Sequence, residues 1–191
     1  KKQKPQIGFW SQTFNFHQIE MVCQMNYSWI CFDMEHGVYS FKDISILSSL
    51  VKSYNKIPFV RVQKSKNEYV QLSLDSGVLG IILPMIENGN DLSSLIKKSL
   101  YPPFGNRSVG FAKSNNFGLN LEKDLNSNFK PFIVAQIESK KGVEKLDEIL
   151  INKGLDSILI GPYDLSASYN IPGDFKNTKF KSVLTKIKNS S

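Results

Sequence analysis

Short apolar runs rich in β-branched residues alternate along the chain with longer stretches in which apolar residues return every three or four positions. A strand repeats its side-chain direction every two residues and a helix about every 3.6, so this alternation predicts βα units around a parallel sheet. Six strands are expected, at Ile7–Trp10, Trp29–Glu35, Pro58–Val62, Gly80–Ile86, Pro131–Glu138 and Ser157–Gly161. Helical spacing is clearest in Ile44/Leu47/Val51/Tyr54, Val143/Leu146/Ile149/Leu150 and Phe180/Val183/Leu184/Ile187. These stripes face a core and need no cofactor to explain them. The strand segments are nearly continuously apolar, as in sheets covered on both faces, which fits a barrel or a doubly wound sheet.

One segment breaks the rhythm. From Tyr101 to about Lys130 the chain runs through Tyr-Pro-Pro-Phe-Gly-Asn-Arg and an Asn-rich stretch, longer than an ordinary connection, and is expected at the rim of an active site. At 191 residues with 41% hydrophobic positions the chain suits a single domain, 1–191, with a sizeable core. No apolar run is long enough to span a bilayer, and Lys1-Lys2-Gln3-Lys4 leads into mixed polar sequence, so a soluble cytoplasmic protein without a membrane partner is expected. The net charge of +7 comes from lysines interleaved with acids, which reads as a solvated surface rather than a nucleic-acid patch. Cys23 and Cys31 lack metal or redox spacing and read as core residues.

Polar residues gather where the predicted strands end: Asp33, Glu35 and His36 after the second, Arg61 in the third, Glu87 after the fourth, Gln136 and Glu138 in the fifth, Asp164 after the sixth. In a (β/α) barrel those ends converge on one mouth. Glu138 and Asp164 are hard oxygen donors that suit Mg²⁺ or Mn²⁺, with Co²⁺ as an alternative, better than zinc. Each also has a plainer reading. Glu138 can be a helix-start carboxylate, Asp164 an N-cap or turn residue, His36 a turn residue beside Gly37, and Asp75 a helix-terminus residue. Arg61 differs, because a cation in a barrel strand requires an anionic partner.

Eight segments carry a resemblance: Pro-Gln-Ile-Gly-Phe-Trp at 5–10, Asp-Met-Glu-His at 33–36, Pro-Phe-Val-Arg-Val at 58–62, Leu-Asp-Ser-Gly at 74–77, Leu-Pro-Met-Ile-Glu at 83–87, Tyr-Pro-Pro-Phe-Gly-Asn-Arg at 101–107, Gln-Ile-Glu-Ser at 136–139 and Ile-Gly-Pro-Tyr-Asp-Leu-Ser at 160–166. In this order the chain resembles the HpcH/HpaI family of class II pyruvate aldolases, which includes 4-hydroxy-2-oxo acid and 2-keto-3-deoxy sugar acid aldolases. The resemblance implies a (β/α) TIM-type barrel, here truncated after about six βα units, since the family continues through further strands and C-terminal helices that pack subunits. It also implies a homo-oligomer and a small-molecule 2-oxo acid substrate.

The implied roles follow position by position. Glu138 and Asp164 match the metal ligands, with Gln136 and Glu35 near the waters of the ion. Arg61 matches the arginine on the keto oxygen of pyruvate, and Gly161, Pro162 and Tyr163 match the segment holding its carboxylate. His36 matches the acid/base histidine, Asp75 the carboxylate paired with it, and Trp10 an aromatic residue lining the pocket. Aldol cleavage leaves charge on an enolate oxygen, which a divalent ion and a fixed arginine stabilise, while a near-neutral histidine can carry the hydroxyl proton. No lysine stands within these motifs where a Schiff-base aldolase needs one. A related lyase of coenzyme A thioesters (malyl or citramalyl type) and a non-catalytic oxo-acid-binding barrel are the alternatives.

Overall fold

A computed structural model describes residues 5–127 and 130–190. The Lys1-Lys2-Gln3-Lys4 stretch and positions 128–129 of the long excursion lie outside the described residues. All the predicted strands form: β1 (Gly8–Ser11), β2 (Trp29–Asp33), β3 (Ile57–Arg61), β4 (Gly80–Leu83), β5 (Phe132–Ile137) and β6 (Ser157–Ile160). They pair in parallel in chain order, β1 through β6, and curl into a half-barrel. Among the described residues no ladder joins β6 to β1, so the sheet is an open one of six strands, in keeping with the truncated barrel expected from the sequence. The edge strand β6, paired only with β5, stays part-exposed, unlike the fully buried β4.

Several strands stop earlier than the apolar runs suggest. At the end of β2 the Asp33 carboxylate accepts the backbone N–H groups of Glu35 and His36 at 3.0 and 3.2 Å, turning the chain out of the sheet. At the end of β4, Pro84 is followed by Met85 in a left-handed conformation, φ 53°.

Helices return the chain between strands. α1 (Phe16–Cys23) follows β1, and α2 (Phe41–Ser53) begins at a capping box in which Ser40 and Asp43 satisfy each other's backbone donors. α3 (Asn67–Asp75) follows β3 and α4 (Gly89–Ser99) follows β4. The stripe Ile44/Leu47/Val51 is buried as predicted. Val143, Leu146 and Ile149 are buried too, but their helix is divided at Lys145 into α6 (Lys140–Glu144) and α7 (Leu146–Leu150). After α8 (Pro162–Ser168), α9 (Thr178–Ser190) buries Phe180, Val183 and Ile187 and packs on α7. Both cysteines are free and buried.

The parallel register sorts side chains onto two faces. Ile30, Phe32, Val60, Ile81, Leu83, Ile133, Ala135 and Ile137 occupy the face that joins the helices in the core. The other face is graded along the strands. At the amino ends, the rings of Trp29, Phe59 and Phe132 form a row with centroids 5.8 and 6.0 Å apart. Glycines make room for it: a Cβ on Gly8 would fall 2.0 Å from the Trp29 ring, and one on Gly80 2.2 Å from Phe59. At the carboxyl ends the same face carries Asp33, Arg61 and Gln136, with Glu138 in continuation.

The excursion from Tyr101 is not at the carboxyl-end rim where it was expected. It connects α4 to β5, and a helix-to-strand connection lies at the amino ends of the strands because the helix has already run back along the sheet. Arg107 anchors it, only 4% exposed, stacking on Tyr101 at 4.7 Å and bonding Asp75 and Ser114 at 2.6 and 3.0 Å. Asn115, fully buried, accepts the N–H groups of Ala112 and Gly118 and donates to the Gly110 carbonyl. α5 (Leu121–Asn126) completes the segment. No helix among the described residues is long and apolar enough to cross a membrane.

Candidate active site

Asp33 and Arg61 end adjacent strands in the same register, so their opposite charges meet at the carboxyl-end mouth. Asp33 is fully buried and each of its oxygens accepts three hydrogen bonds. Oδ1 takes Arg61 Nε at 2.9 Å and the two backbone N–H groups of the turn. Oδ2 takes Arg61 Nη2 at 2.5 Å, Gln12 Nε2 at 3.2 Å and Trp10 Nε1 at 3.3 Å. Burial alone would raise this carboxyl, but the Arg61 hydrogen bonds and charge, the His36 N–H and Gln12 outweigh it and hold Asp33 at about 2. Burial disfavours the charge of Arg61 as well, and Asp33 and Glu35 reverse that, holding the guanidinium above its ordinary range.

Arg61 lies 5.1 Å above the Trp10 ring, and its Nη1 is 3.2 Å from Glu35 Oε2. That contact is one of charge, since Glu35 Oε2 is buried without a hydrogen-bond partner. Burial raises the Glu35 carboxyl, with Glu138 and Asp33 adding to the rise and Arg61 opposing it. Two of the five guanidinium donors are used on Asp33, leaving the rest for Glu35 and a ligand.

Beside this cluster, Glu138 is 2% exposed. The Met85 N–H donates to Oε1 at 2.6 Å, and the Gln136 amide donates to Oε2. Burial raises the Glu138 carboxyl; Gln136 and Met85 counter it, the charge of Asp164 adds to it and that of Arg61 subtracts. Asp164 is exposed in the first turn of α8 and close enough to act on Glu138 through its charge. Gly161 leaves the space over this pair open, because a Cβ there would stand 2.4 Å from Glu138 Oε2 and 3.0 Å from Gln136 Nε2. Pro162 opens α8, and Tyr163, 71% exposed, meets Phe175 edge-on with ring centroids 5.1 Å apart.

Trp10, Glu35, Arg61, Gln136, Glu138, Gly161 and Asp164 are therefore neighbours at one mouth. His36 follows Asp33 there with an exposed side chain. Asp75 is elsewhere: within this chain its partner is Arg107 at 2.6 Å, not His36. It ends α3, shortly before Gly80 starts β4, and so sits toward the amino ends of the strands. Glu87, another strand-end acid, is used by Ser139 and Lys141 at 2.9 and 3.0 Å. The residues that reading the sequence missed are Asp33 as the hub, Gln12 as its partner and Met85 as a backbone donor.

A profile of the HpcH/HpaI aldolase/citrate lyase family matches residues 6–189. The chain belongs to that family. Among its curated relatives in the family, the 2-keto-3-deoxy-L-rhamnonate aldolase of Escherichia coli O17:K52:H18 is 27% identical over 186 residues, 96% of this chain and 70% of the relative. Two solved family members superpose closely. A HpcH/HpaI aldolase/citrate lyase family protein from Burkholderia cenocepacia J2315 has a TM-score of 0.92 at 25% identity, covering 98% of this chain and 76% of the other. A HpcH/HpaI aldolase from Desulfitobacterium hafniense DCB-2 has 0.87 at 27% identity, covering 98% and 73%.

The family's chemistry raises the question of whether these residues suit a divalent ion. Among the described residues no three His, Cys, Asp or Glu side chains gather as a full cage. The donors present are instead two carboxylates, Glu138 and Asp164, beside Gln136 Oε1, which is buried with no hydrogen-bond partner. An orphaned carbonyl oxygen and a raised, repelled carboxylate under a glycine lip fit an oxygen-preferring cation held by few protein ligands and completed by water and substrate.

Proposed function

We propose that this HpcH/HpaI family member is a divalent-metal-dependent carbon–carbon lyase that reversibly cleaves a 4-hydroxy-2-oxo acid to pyruvate and an aldehyde. The observation that carries this reading is the facing of two unlike clusters: an arginine fixed by a fully buried aspartate, and a buried glutamate next to an orphaned amide oxygen. When bound by Glu138 and Asp164, Mg²⁺ or Mn²⁺ would supply Lewis acidity toward an oxo acid.

The remaining work belongs to the chain. Arg61 presents its unused N–H donors to the oxygen on which enolate charge develops, and Asp33 keeps that fork from turning away. The backbone at Gly161 admits a carboxylate close to Glu138, where any side chain would collide. Trp10 walls the pocket and shields the Arg61 face from water. His36 takes the proton of the substrate's C4 hydroxyl as the aldehyde leaves. Its ring is not oriented by Asp75 within the same chain, since that carboxylate is engaged with Arg107.

Exchange of the pyruvate methyl protons with deuterated water tests enolate formation without knowledge of the aldehyde. The wild type should exchange when Mn²⁺ is present, and Glu138→Ala or Asp164→Ala should abolish the exchange. Exchange that survives both substitutions in metal-free buffer refutes the reading. Because the family joins aldolases to citrate lyases, coenzyme A thioesters of malyl or citramalyl type belong in the same screen as free hydroxy-oxo acids.

A further inference from the structure

The Pro84–Met85 peptide is held from both sides. Its N–H, on Met85, donates to Glu138 Oε1 at 2.6 Å. Its carbonyl, on Pro84, accepts the hydroxyl of Ser65, which stands in the loop between β3 and α3. Met85 is not glycine, yet it adopts φ 53°, a conformation that persists for such a residue only where its surroundings impose it. Rotating this peptide would relieve the backbone, but it would also turn a carbonyl oxygen toward a buried carboxylate. Open space lies on the outer side, a cavity of about 380 Å³ lined by Ser65, Met85 and residues of α3 and α4. On that side the Ser65 hydroxyl is the hydrogen bond that holds the Pro84 carbonyl.

We infer that Ser65 is a positioning residue for Glu138, acting through the Pro84–Met85 peptide. This rests on the reading of Glu138 as a metal carboxylate. A carbonyl that accepts a hydrogen bond makes the N–H of the same amide a stronger donor, so the Ser65 hydroxyl both blocks rotation and tightens the grip on Oε1. The opposite oxygen is gripped by Gln136, whose amide can turn about its own side chain, so the peptide is the stiffer of the two holds on Glu138.

The test is Mn²⁺ binding to the metal-free protein, read from the electron paramagnetic resonance signal of free Mn²⁺, with melting temperatures alongside. Ser65→Ala should weaken Mn²⁺ binding about two- to tenfold, the range one net hydrogen bond spans. Its melting temperature should stay within a few degrees of wild type. Ser65→Thr, which keeps the hydroxyl, should bind within about twofold of wild type. Equal binding by wild type and Ser65→Ala overturns the positioning role, as does a Ser65→Thr variant as weak as Ser65→Ala. A wild type that holds no Mn²⁺ overturns the metal reading and this inference together.

Discussion

Replacing Asp33 by Asn would keep the shape of the side chain while removing the charge on which the arginine cluster is built. An Asn oxygen in the Oδ1 place can still accept Arg61 Nε and the turn's two N–H groups, but its amide nitrogen would face Arg61 Nη2, Gln12 Nε2 and Trp10 Nε1, all donors. Arg61, whose side chain is 11% exposed, would be left with Glu35 as its one ion-pair contact. Removing one member of a buried ion pair typically costs about 3–5 kcal/mol. A second figure follows from the shift of the Asp33 carboxyl. Lowering the carboxyl from 3.8 to about 2 on folding corresponds to about 2.5 kcal/mol. A depressed carboxyl contributes stability that is complete above its unfolded pKa and disappears as pH falls through its folded one. The gap between wild type and Asp33→Asn should therefore be full at pH 7 and shrink between about pH 4 and pH 2. At about 2–4 °C per kcal/mol for a chain of this size, the variant should melt roughly 10 °C lower at pH 7. Circular-dichroism melts across that pH range are the assay. A variant within about 1 kcal/mol of wild type, or a gap that stays constant down to pH 2, would refute the reasoning.

Other expectations concern the opposite cluster and the excursion. Because burial raises the Glu138 carboxyl, its ionisation weakens the metal-free fold as pH rises above about 4.5. Glu138→Gln should thus gain on wild type in melting temperature as pH rises above that value, and it should lose Mn²⁺ binding. Gly161→Ala puts a methyl group 2.4 Å from Glu138 Oε2, so it should cost about 1–3 kcal/mol and sharply weaken Mn²⁺ binding, measured by calorimetry. Arg107→Met removes the bonds to Asp75 and Ser114 and should cost about 1.5–3 kcal/mol in denaturant unfolding. Mn²⁺ affinity unchanged in that variant would agree with an excursion remote from the mouth; a marked loss would contradict it.

The strands and the three helical stripes were legible because burial enforces periodicity: Ile44, Leu47 and Val51 could not be exposed without giving up the core. The demand of Arg61 for an anion was legible too, from the cost of an unpaired buried cation. Its partner was not, because Asp33 and Arg61 meet only through strand register, which no local spacing encodes. Met85 left no trace, since its contribution is a backbone N–H available to every residue but proline. The excursion was misplaced because α4 carries few apolar markers, chiefly Leu92, Leu95 and Ile96, so the segment did not read as following a helix. The contact of Asp75 with Arg107 within this chain was not legible for the related reason that the motif containing Arg107 belongs to that excursion.

The row of Trp29, Phe59 and Phe132 at the far end of the polar face has a kinetic meaning. A hydrated anion cannot slip between close-set hydrocarbon rings without shedding its water, so traffic through that end is closed to charged small molecules. Charged reactants are thereby left to approach Arg61 and Glu138 from the carboxyl-end mouth or the open seam beside β6.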